Sequence, residues 1–65
     1  MVSDLDIYRS AQLMIDQHGE DASVHAAMRA DELLDQGYRE GADVWLRVID
    51  AIKIMELKEA QGAVH

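Results

Sequence analysis

The chain has no cysteine, no proline and few basic residues, and only four glycines interrupt its 65 positions. Without cysteine there is no disulfide, no thiolate metal site, no thiol nucleophile and no iron–sulfur ligation. Without proline, the strong backbone breakers are Gly19, Gly37, Gly41 and Gly62. Six bases stand against thirteen acids, a net charge of −7. Such a surface repels phosphate backbones, which excludes direct nucleic-acid binding, and it disfavours anionic membranes. Long apolar runs are also lacking, because Asp4, Asp6 and Arg9 break the first one. No leader or spanning segment is therefore expected, and the cytoplasm is the expected compartment.

What remains is a single small domain. A chain this short buries only about 60% of the surface its unfolded form exposes, so a lone core is marginal. Metal binding by histidine and carboxylate, association with another chain, or a tidy helical core are the remedies left. The acidity is uneven: residues 1–40 hold nine acids and three bases, residues 41–65 four and three.

Between the glycines the apolar residues recur with helical period. The pattern predicts an all-α, compact three-helix unit with helices at about 3–18, 21–36 and 42–60. Ser3 and Asp6 have capping-box spacing at the first start, and Gly19 supplies the stop. Asp21 is the expected N-cap of the second helix, and Gly37-Tyr38 matches a Schellman ending. The predicted core is Ile7, Tyr8, Ala11, Met14, Ile15, Ala22, Ala26, Ala30, Leu33, Leu34, Trp45, Val48, Ile49, Ile52 and Met55. Ala27 also falls on the apolar side of the second helix. In the third helix ten of the fourteen residues from Val44 to Leu57 are apolar. That exceeds the single stripe a surface helix needs. Leu46, Ile54 and Leu57 lie opposite the main stripe and predict an association surface, with Trp45 and Ile49 as its anchors.

Chemistry-bearing arrangements are sparse. His18, Asp21 and His25 fall within eight residues, and Asp21 and His25 are one helical turn apart, a spacing compatible with a divalent metal. Local structural roles explain the same residues: His18 at a helix end, Asp21 as a cap, His25 on a polar face. Ser3, Ser10 and Ser23 lie in no nucleophile elbow, and no glycine-rich phosphate loop exists. Arg29 is placed to pair with Glu32 along the helix surface. No catalytic residue, cofactor or small-molecule substrate is expected.

Two resemblances follow from particular stretches. Asp6-Ile7-Tyr8-Arg9, Gln17-His18-Gly19-Glu20-Asp21-Ala22, His25 through Asp31, and Val44-Trp45 with Arg47 together resemble a family of very short alphaproteobacterial proteins. The likeness covers nearly the whole chain. It implies a bacterial cytosolic helical protein and carries over no functional residue. This sequence departs from that pattern at Gly37-Tyr38, where the family has Gly-Asp, and at Leu46, where it is polar. The segment from Leu33-Leu34 through Gly37, Glu40-Gly41-Ala42 and Ala51-Ile52 is similar to the helix-turn-helix of a tetratricopeptide repeat, in one copy. It implies hairpin geometry only, since solenoids need about three repeats.

The functional expectation is a non-enzymatic acidic interaction protein, either a homodimer through helix three or a small subunit on a larger protein partner. A metal-binding module built on His18, Asp21 and His25 is one alternative. An acidic mimic of nucleic acid is the other.

Overall fold

A computed structural model of the chain describes residues 2–62, with side-chain surroundings up to Lys58. The described chain is all-helical: α1 spans Asp4–His18, a 3-10 turn spans Gly19–Asp21, α2 spans Ala22–Asp35 and α3 spans Arg39–Gly62. Gly19 was expected to separate two independent helices. Instead the chain stays helical through the 3-10 turn, and Asp4–Asp35 is one bent arm against which α3 packs.

Each boundary has a local cause. At the start, Ser3 is extended and its hydroxyl accepts a hydrogen bond from the Asp6 N–H at 3.2 Å, satisfying one of the orphan donors of the first turn. Asp4 and Asp6 add negative charge at the positive end of the helix. Gly19 ends α1 with φ +57°, a conformation in which a side chain would be strained, and its N–H bonds to the Ile15 carbonyl. Asp21 does not cap α2, contrary to expectation. It sits inside the 3-10 turn with φ −90° and ψ 7°, so its carboxylate lacks the extended backbone that a capping side chain needs.

The end of α2 is a Schellman motif. The Tyr38 N–H reaches the Leu33 carbonyl at 2.8 Å, and the Gly37 N–H reaches Leu34 at 3.0 Å, with Gly37 at φ +84°. The next helix begins at once, since the Ala42 N–H already donates to Tyr38 at 3.0 Å. So α3 starts at Arg39 rather than at residue 42, and Gly41 lies inside it instead of in the turn. A hydrogen at position 41 has a packing use. A Cβ there would sit 3.3 Å from Leu33 Cδ1, so the Leu33 isobutyl group lies directly over the glycine.

Shared surface hollows fix the relative course of the helices. Val2 lies with Glu40 and Val44, Tyr8 with Ala51 and Ile54, and Gly19 with Glu56. Thus α1 and α3 run side by side in the same direction, and α2 returns between the kink and the Schellman turn.

The core they enclose is built from small residues. Buried among the described residues are Ile7, Met14, Val48 and Ile52 together with six alanines, at positions 11, 22, 26, 30, 42 and 51. Ile15, Trp45, Ile49 and Met55 pack on it from the margin. Ala42 and Ala51 were not among the predicted core residues. Tyr8 and Leu34 were, and they are 45% and 50% exposed. Of the adjacent pair Leu33-Leu34, only Leu33 turns toward α3 at Gly41; likewise Ala26 faces inward and Ala27 outward. Tyr8 lies one position, about 100°, round the helix from buried Ile7, so its ring stays at the edge.

Two measurements test this packing. Ile52→Ala removes the largest fully buried side chain and should lower the unfolding free energy by about 2–5 kcal/mol in urea titration. Gly37→Ala forces a Cβ into positive φ and should cost about 1 kcal/mol by the same assay.

Candidate interaction surface

Small side chains inside leave large ones outside. The sequence has six leucines, and none is buried: Leu5, Leu13, Leu34, Leu46 and Leu57 are at least half exposed, and Leu33 is half-buried. Val24, Met28, Tyr38 and Ile54 are exposed as well. Scattered exposed aliphatics are ordinary, but this many large ones on so short a chain suggest an interaction surface among them.

The five residues expected to form an interface divide into two groups. Trp45 and Ile49 pack partly buried against the core. Leu46, Ile54 and Leu57 face outward on α3, Leu57 being 61% exposed. The exposed residues of α1 and α2 were not singled out from the sequence. Their signal was available, because Leu5 and Leu13 lie opposite the Ile7–Ala11–Met14 stripe, and Val24 and Met28 lie one turn apart opposite Ala22 and Ala26.

Of the outward residues of α3, Ile54 borders α1. Asp4, Ile7 and Tyr8 of α1 face Arg47, Asp50, Ala51 and Ile54 of α3 across an open hollow. A second hollow, formed by Val2 with Glu40, Gly41, Asp43 and Val44, adjoins the first at Arg47. Together they make a shallow trough with an apolar floor and charged flanks. Asp43, Arg47, Asp50 and Ile54 follow one another at helical spacing, so half of this feature is written in a single stretch of sequence.

His18 and His25 are brought together, but stacked and not aimed at a common metal position. The His18 and His25 rings stack across the 3-10 turn with centroids 3.8 Å apart and planes inclined by 16°. A metal bound by both imidazoles must lie near both ring planes. Planes this close to parallel converge far beyond the zinc–nitrogen distance of about 2 Å, so the stacked pair is not a chelate. Asp21 does not complete a set, and among the described residues no group of three or more His, Asp or Glu is placed to hold a metal. On the α3 side of the kink, Glu56 has a buried Oε1 without a hydrogen-bond partner among the described residues. It shares a hollow with Ile15, Gly19 and Glu20.

Arg29 pairs with Glu32 at 2.9 Å, both side chains being more than half exposed, as the spacing implied. Ser3 caps α1 through its hydroxyl, while Ser10 and Ser23 are half-buried on α1 and α2. No helix among the described residues is long and apolar enough to cross a membrane. In comparisons with known proteins, no family model, curated sequence or solved structure matches the chain.

An exposed i, i+3 ion pair is worth only a few tenths of a kcal/mol. Arg29→Ala should therefore shift the unfolding free energy by less than about 0.5 kcal/mol in urea titration, far below the loss from a core truncation.

Proposed function

We propose that the chain is a non-enzymatic acidic interaction module of the cytoplasm: a three-helix unit that works by covering α3, either with a second copy or by docking as a small subunit on a larger protein. The observation that carries this reading is the distribution of leucine. Leucine is among the residues most often found inside proteins, yet here every leucine remains wholly or partly in water. A fold that keeps alanine inside and leucine outside has many large aliphatic side chains available for contact with another molecule.

Kinship with short alphaproteobacterial proteins belongs to the same reading and adds no activity to it. Metal binding gains no support from two stacked imidazoles. Mimicry of nucleic acid has the net charge in its favour, but it does not account for the exposed leucines.

The decisive variant is Leu46→Lys with Leu57→Lys. Both positions are exposed, so folding stability should change by less than about 0.5 kcal/mol per site. Association, measured by sedimentation of the pure chain and by capture of its cellular partners, should weaken by about tenfold or more. A chain that sediments as a monomer, and whose captured partners are the same with or without the two lysines, would remove the proposal.

A further inference from the structure

The trough between α1 and α3 has a chemistry that selects among partners. Its flanks present Asp4, Glu40, Asp43 and Asp50 against a single cation, Arg47, a local excess of three negative charges. Among the described residues the one ion pair is Arg29–Glu32, on α2, so none of the four trough carboxylates is paired with another described residue. Between these flanks the floor is apolar, and Tyr8 and Ile54 stand half exposed in it. Along α3 the feature runs from Glu40 to Ile54, about 21 Å at 1.5 Å per residue, the length of roughly four helical turns.

We propose that this trough docks a basic amphipathic helix of a partner protein. Its apolar stripe would lie on Tyr8 and Ile54, and its lysines or arginines would meet the carboxylates on either flank. The inference rests on the reading of the chain as an interaction module and deepens it by naming the partner's chemistry. Charge decides against a second copy in this position. Two copies each carry −7, and a symmetric pairing would set one acidic trough against another. A cationic helix meets the opposite condition, because each contact on the flanks is then attractive and the approach is steered.

The test is calorimetric titration of the purified chain with a synthetic amphipathic helix of leucine and lysine, and with its leucine–glutamate counterpart. The lysine peptide should bind at about micromolar concentration and the glutamate peptide should not bind. Asp4→Asn with Asp50→Asn should weaken binding by about tenfold or more. Asp31→Asn with Asp35→Asn removes the same charge from the outer face of α2, and should change binding by less than about twofold. Ile54→Ser should weaken binding while leaving the helical circular dichroism of the chain intact.

Equal weakening by the two double variants would overturn the proposal, because binding would then follow net charge and not the trough. Absence of binding below millimolar peptide would overturn it too, as would disulfide cross-linking of two copies in a Tyr8→Cys or Ile54→Cys variant. The broader reading fails separately. If the peptide does not bind but Leu46→Lys with Leu57→Lys still abolishes association, the chain remains an interaction module and only the basic-helix partner is lost.

Discussion

Close approach of backbones over alanine is the constraint from which the rest of the structure follows. Six of the buried residues are alanines, contributed by all three α-helical segments, and the same logic operates at Gly41, where Leu33 rests on a position that has no side chain. Helices that meet through such small residues come near one another and bury little apolar area for each residue spent. A core of this kind holds few bulky members; Ile52 and Val48 are the largest that are fully enclosed. Ile7 and Met14 are buried beside them, Ile15, Trp45, Ile49 and Met55 pack at the margin, and most of the other large apolar side chains lie on the outside. In a chain whose size already makes an isolated core marginal, that allocation turns a packing solution into a contact surface.

Geometry then decides where the surface is useful. The 3-10 turn at Gly19–Asp21 folds the first arm back on itself, and the Schellman motif at Gly37-Tyr38 sends α3 up beside α1 without a linker. Because α1 and α3 run in the same direction, the acidic first turn of α1 comes to lie along the acids of α3. Neither helix alone makes a groove. Side by side they make one whose floor is apolar and whose flanks are negative, and in which the net charge of the chain becomes a local property with a direction.

Much of this was legible before any coordinates. Ser3 as a cap, Gly37-Tyr38 as a Schellman ending and the inward stripe of α1 all rest on interactions within four or five residues, which sequence spacing encodes directly. The surplus apolar character of α3 was equally visible. Asp21 was misread because capping depends on backbone conformation, and the 3-10 turn denied it the extended one. The start of α3 was misplaced because Gly41 looked like punctuation, whereas its role is contact with Leu33 of another helix. Tyr8 and Leu34 lie at the edges of their stripes, where tertiary packing and not periodicity settles exposure. The stacking of His18 on His25 and the trough itself were beyond local reasoning. The first depends on the bend between two segments, the second on residues some forty positions apart in the chain.

The central claim is that the outward leucines and the α1–α3 trough are covered when the chain is at work. Hydroxyl-radical footprinting in native cells, set against the purified chain at high dilution, measures that cover residue by residue. The account predicts that Tyr8, Leu46, Ile54 and Leu57 are labelled far less in cells than in the dilute sample, while Val24 and Met28 on the outer face of α2 are labelled alike in both. Equal labelling of all six in the two settings would contradict it, because the large apolar side chains would then be as wet in the cell as they are alone.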